Sequence, residues 1–153
     1  MKLKYLFSML ALSVMFAAGC EQKLEITPQE RTHISDRVSE TVYNYRSFDA
    51  KQRRSRMQEL CCIELDEDLR KKIAKRDIAR LVRILRNEDD DVAKYWLITF
   101  IGNLGKYAKP AGPLLLQIKK QNSFAGSPGS KKPYMLALKI AMKKIGVKKP
   151  EKK

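Results

Sequence analysis

Between Asp89 and Gly105 the chain places apolar residues at Ala93, Trp96, Leu97, Phe100, Ile101 and Leu104. Steps of three and one keep these side chains on one face of a helix for three turns, a pattern that the two-residue alternation of a strand does not produce. Asp89-Asp90-Asp91 stands before this run and Gly102-Asn103-Leu104-Gly105 closes it. Carboxylates suit a helix start because they accept from its orphan N–H groups and face the positive end of its dipole. The acidic turn follows another periodic run directly, so the two predict a helix hairpin with a glycine-rich exit.

Helical spacing extends along most of the body, and no segment reads as a convincing strand. Thr27-Pro28-Gln29-Glu30 has the form of a capping box with proline at the first helical position, where its missing N–H costs nothing. The helix it opens carries Ile34, Val38, Thr41 or Val42, and Tyr45. The pattern resets at Ser47 to Asp49, and a second helix carries Met57, Leu60 and Cys61. From Asp66 a longer helix shows Leu69, Ile73, Ile78, Leu81, Val82 and Leu85 on one side. Lys106 to Pro113 reads as the turn into a helix over 114–121 with Leu115 and Ile118 inward. A Gly, Ser and Pro-rich loop over 122–130 then precedes a last helix bearing Tyr134, Leu138, Ala141, Met142 and Ile145. The fold class is all-α.

Leu81 to Asn87, then Asp90-Asp91-Val92-Ala93-Lys94-Tyr95-Trp96 and Gly102-Asn103-Leu104-Gly105, resembles a HEAT repeat: one helix, an acidic turn, a second helix opening on aspartate, and a glycine-bearing end. Residues 114–146 resemble a second, degenerate copy with a longer internal loop. The resemblance implies a short right-handed stack of antiparallel helix pairs, a HEAT-like α-solenoid, with the N-terminal helices as a cap. A small irregular helical bundle is the alternative that produces the same stripes. The resemblance further implies binding of a macromolecule along the face lined by the second helices.

The chain begins Met1-Lys2-Leu3-Lys4, runs apolar from Tyr5 to Ala18, and turns abruptly polar at Glu21. A basic start, a short apolar core and small residues before a cut site form an export signal, too short to span a bilayer comfortably. Ala17-Ala18-Gly19-Cys20 resembles the lipobox of bacterial lipoproteins. That family implies lipidation of Cys20 and cleavage before it, hence a signal over 1–19 and a tether over 20–27; the helical periodicity then gives one helical domain over 28–146, and the basic composition of 147–153, broken by Pro150, reads as a disordered tail. The lipobox family also implies an envelope address facing the periplasm. Glu21 favours inner-membrane retention less strongly than aspartate does, so inner and outer membrane both stay open.

Taking 19 residues from 153 leaves 134, one small domain, and removing Lys2 and Lys4 lowers the net charge from +15 to +13. In an exported chain this excess points away from nucleic acid and toward anionic headgroups, envelope polymers or an acidic protein. Two patches are candidate partner surfaces. One is the row Lys72, Arg76, Arg80 and Arg83, spaced four, four and three along one helix; the other is Lys94, Tyr95 and Ile98, opposite the Trp96/Phe100 stripe. Each has a plain reading too: a solvated face for the first, packing against a neighbouring helix for the second.

Signals for chemistry are sparse. His33 is the single histidine, between Glu30 and Asp36, and reads as a solvated surface residue. Asp89-Asp90-Asp91 lacks the spaced oxygen ligands and central glycine of a calcium loop and reads as a cap. No nucleophile set, metal-ligand set or phosphate loop can be assembled, so the expectation is a non-enzyme without cofactor or metal. Cys61-Cys62 reads as two small buried residues near a helix end. The alternatives are a vicinal disulfide, which needs a strained turn, or a bridge to another chain. Two function classes follow: a membrane-anchored protein-interaction module of adaptor, immunity or inhibitor type, and a binder of anionic lipid or polymer through a basic face.

Overall fold

A computed structural model describes residues 26–121 and 128–147. Among them there is no strand, and six α-helices carry the chain: α1 Pro28–Asn44, α2 Ala50–Cys61, α3 Glu67–Asn87, α4 Asp91–Asn103, α5 Gly112–Gln121 and α6 Pro128–Ile145. Short 3-10 turns, Tyr45–Ser47 and Gly105–Ala111, follow α1 and α4. The predicted signal, Cys20 and most of the tether lie outside the described residues, as do 122–127 of the predicted loop and 148–153 of the predicted tail.

Side-chain caps fix where four helices begin. Thr27 Oγ1 accepts the Glu30 N–H at 3.3 Å while Glu30 Oε2 accepts the Thr27 N–H at 2.7 Å. Asp49 and Gln52 form the same reciprocal pair at the start of α2, at 2.8 and 3.0 Å. Asp66 accepts from Leu69 N–H and Asp90 from Ala93 N–H, each at 2.8 Å. Each cap contributes about 1 kcal/mol by satisfying an orphan donor. The end of α6 is set differently. Gly146 takes φ +78°, Val147 N–H bonds Met142 O at 3.0 Å and Gly146 N–H bonds Lys143 O at 3.1 Å, closing a Schellman turn that lays Val147 partly against the core.

Alternate helices pack on one another: α1 on α3, α2 on α4, and α4 on α6, while α3 also meets α4 and the Gly105–Ala111 turn, and α5 meets α6. One core cluster extends from Val38 to Ile145 and includes Met57, Leu69, Leu81, Phe100, Leu115 and Leu138. The helix α4 is the most enclosed. Ala93, Leu97, Ile98, Phe100 and Ile101 have no exposed surface. The sequence predicted a single buried face here; α2 and α6 cover two flanks, so a second side is buried as well.

Four boundaries move. The fifth helix starts at Gly112, inside the predicted Lys106 to Pro113 turn, and Val147, expected in the disordered tail, packs partly against the core. Ile26, expected in the tether, packs partly against the core, and Thr27 belongs to the α1 cap. The last helix starts at Pro128 rather than after Ser130. Between α4 and α6 the backbones come close at Gly102, where an added Cβ would lie 2.8 Å from Ala141 Cβ and 2.9 Å from its Cα.

Candidate functional site

The close approach at Gly102 and Ala141 forms the floor of a groove of about 160 Å³ between α4 and α6. Tyr95 and Thr99 line it from α4; Pro133, Leu136, Ala137 and Ile140 line it from α6. Leu136 is 58% exposed and Ile140 44%, two of the four large hydrophobic residues most open to solvent among the described residues. Thr99 spends its hydroxyl on Tyr95 O at 2.9 Å, and Lys144 Nζ donates to Asn103 Oδ1 at 3.0 Å across one end. Tyr95 also meets Trp96 edge to face, with centroids 4.8 Å apart.

Of the second predicted patch, Tyr95 lines this groove and Lys94 is half-buried, but Ile98 is fully buried. Ile98 therefore presents nothing to a partner; burial against neighbouring helices accounts for it. Leu136 and Ile140 were missed. Their signal was present: they are apolar residues four apart, on the side of α6 opposite Tyr134, Leu138 and Ala141, where a helix resting on one face should be polar.

The basic row on α3 is not a free strip. Arg76 is turned onto α1, with one guanidinium nitrogen on Ser35 O, another 3.6 Å from Asp36 and a third 3.0 Å from Asp77. Arg80 stands 4.4 Å over the ring of Tyr43. Lys72 and Arg83 are exposed. Half of the row thus serves the α1–α3 contact, which spacing along α3 alone could not reveal.

A buried polar clamp joins α2 to the α3–α4 turn. The Glu88 side chain is 2% exposed; its Oε2 accepts the Tyr45 hydroxyl at 2.5 Å and lies 3.2 Å from Arg53 Nε, while Oε1 accepts the Asp90 N–H at 2.9 Å. Asp90 in turn takes a bidentate contact from Arg54. That guanidinium holds the Asp90 carboxyl below its ordinary 3.8. Burial and the Glu88 carboxylate push the Tyr45 phenol far above its ordinary 10.0, so it remains a donor. Both Glu88 oxygens are committed, and the cluster holds helices rather than offering a nucleophile.

Cys61 and Cys62 are both free thiols and differ in exposure. Cys61 ends α2 and donates to Trp96 O at 3.2 Å, and burial pushes its thiol up to about 12. Cys62 is exposed, against the expectation of two buried residues, because α2 stops there and turns it outward. Of these two, a thiol reagent at neutral pH should modify Cys62 alone in the folded protein and both after denaturation, as mapped by peptide mass spectrometry. Equal reactivity of the two would contradict this geometry. The raised Cys61 value also has a sign for stability: its contribution is intact below the ordinary 9.0 and is lost as pH rises toward about 12.

His33 is exposed on α1, and among the described residues no group of three His, Cys, Asp or Glu side chains is placed to hold a metal ion. No helix among the described residues is long and apolar enough to cross a membrane. Compared with known proteins, the chain matches no family model, no curated protein and no solved structure.

Proposed function

We propose that this protein is an envelope lipoprotein, anchored through lipid on Cys20 and facing the periplasm, that acts as a non-catalytic protein-interaction module. The observation that carries the binding role is the α4–α6 groove, where Leu136, Ile140 and Tyr95 leave apolar surface open. The anchor rests on the sequence Ala17-Ala18-Gly19-Cys20. Within this reading the helices form a short right-handed stack of HEAT-like pairs, α3/α4 and α5/α6, with α1 and α2 as the N-terminal cap. The contacts of α3 with α4 and of α5 with α6, and the packing of α4 on α6, support it. The α4–α6 groove then lies on the face of the second helices.

Anchoring confines the protein to one surface, where high local concentration makes a modest groove sufficient. The anchor is tested by metabolic labelling with a fatty acid: the native chain takes the label and Cys20→Ser does not. The binding role is tested by crosslinking and capture of the native protein. One stoichiometric protein partner is the expected result; recovery of anionic lipid or polymer alone would replace this reading by the polyanion one.

A further inference from the structure

We propose that the α4–α6 groove receives an acidic amphipathic helix of a partner protein, an inference that rests on the interaction reading above and names its surface and partner chemistry. The apolar part of the groove is small and linear. Leu136 and Ile140 stand one turn apart on the α6 rim, Tyr95 stands on the α4 side, and the Gly102–Ala141 contact closes the floor. Such a channel fits a row of side chains at helical spacing, the pattern by which an amphipathic helix lies in a groove. The rim is basic. Lys131, Lys132, Lys139, Lys143 and Lys144 lie on α6, and residues 128–145 contain no Asp or Glu. Lys132 and Lys139 flank Leu136 at one helical turn on either side, and Lys143 and Lys144 follow Ile140. A complementary segment carries aliphatic anchors bordered by carboxylates.

Other occupants fit less well. A second copy offering this same face would bring lysine against lysine, and 148–153, with four lysines and one glutamate, is repelled for the same reason. A bilayer would take up the protruding Leu136 and Ile140 but leave Tyr95 and Ala137, recessed beside the rim, uncovered, whereas a helix laid in the groove covers all four.

Trp96 is the single tryptophan of the chain and touches Tyr95, so its emission reports on the groove. The test places the exported protein, as cells process it, in nanodiscs of neutral phosphatidylcholine. It then adds a synthetic amphipathic peptide of about 18 residues, long enough to form a helix, with leucines bordered by glutamates. Saturable binding that shifts Trp96 emission is expected. The double variant Leu136→Ser/Ile140→Ser, whose changes are on the surface and whose unchanged melting shows that it folds, should bind about tenfold or more weakly. The same peptide with lysine in place of glutamate should not bind. Absence of a Trp96 response, equal binding by the double variant, or equal binding of the basic peptide would each overturn the proposal. So would a Trp96 shift caused by phosphatidylglycerol nanodiscs alone and abolished in the double variant, which would assign the face to membrane. Capture of a stoichiometric partner that the double variant still retains would overturn this surface while leaving the interaction reading standing.

Discussion

Glu88→Ala should destabilise the protein by about 3–5 kcal/mol, the cost of removing one member of a buried ion pair. The Glu88 side chain is 2% exposed, accepts hydrogen bonds from the Tyr45 hydroxyl and the Asp90 N–H, and lies 3.2 Å from Arg53 Nε, so truncation leaves a phenol and an amide short of an acceptor and the Arg53 charge without its counterion. The cost falls toward the lower end because Arg53, 26% exposed, borders an open cleft of about 340 Å³ and can turn to water. Glu88→Gln keeps the volume and one acceptor oxygen but sets an NH2 donor against either the Tyr45 hydroxyl or the Asp90 N–H, so it should cost about 1–3 kcal/mol. Urea denaturation with an unchanged m value measures both. A Glu88→Ala variant within about 0.5 kcal/mol of the native protein would mean that the clamp does not hold α2 to the α3–α4 turn.

The second large effect is at Gly102. Alanine inside a helix normally gains about 1 kcal/mol over glycine, and less at Gly102, the second-to-last residue of α4. Here the added methyl would meet Ala141 at 2.8 Å from its Cβ and 2.9 Å from its Cα, and the Cα belongs to the backbone of α6, which can yield only by moving the helix. Overpacking of about 1–3 kcal/mol exceeds the propensity gain, and Gly102→Val, larger and β-branched, should exceed it further. The expected result is a net loss of about 1 kcal/mol for Gly102→Ala, with α4 and α6 pushed apart. The floor of the groove changes with it, so the same variant should alter Trp96 emission. A Gly102→Ala variant more stable than the native protein would contradict the close approach.

These two sites show where sequence reading succeeded and where it stopped. The helix start at Thr27 was legible because a capping box is local: its donors and acceptors lie within four residues. The starts at Asp66 and Asp90 were legible for the same reason. Glu88 stands immediately before the Asp89-Asp90-Asp91 turn, and no local pattern distinguishes it from those carboxylates. Its partner Tyr45 is 43 residues away, so only the fold reveals that the two meet. Ile98 was read beside Tyr95 as a candidate contact residue, yet it is buried because helices from both earlier and later in the chain flank α4. Arg76 and Arg80 follow the spacing of a basic strip, but the groups that engage them, Ser35, Asp36 and Tyr43, all come from α1. The α6 rim was visible in principle, since Leu136 and Ile140 break the polar side of an otherwise one-faced helix.

Under the proposed function the protein binds a protein partner through packed apolar surface rather than collecting polyanions with its charge. Washing the captured native complex with salt raised from about 0.1 M to about 1 M decides between them, because the screening length shrinks from about 10 Å to about 3 Å over that range. The account predicts that one protein partner stays bound at high salt, held by contacts at Tyr95, Leu136 and Ile140 that salt does not screen. Complete release of whatever was bound, with only anionic lipid or polymer in the eluate, would contradict it.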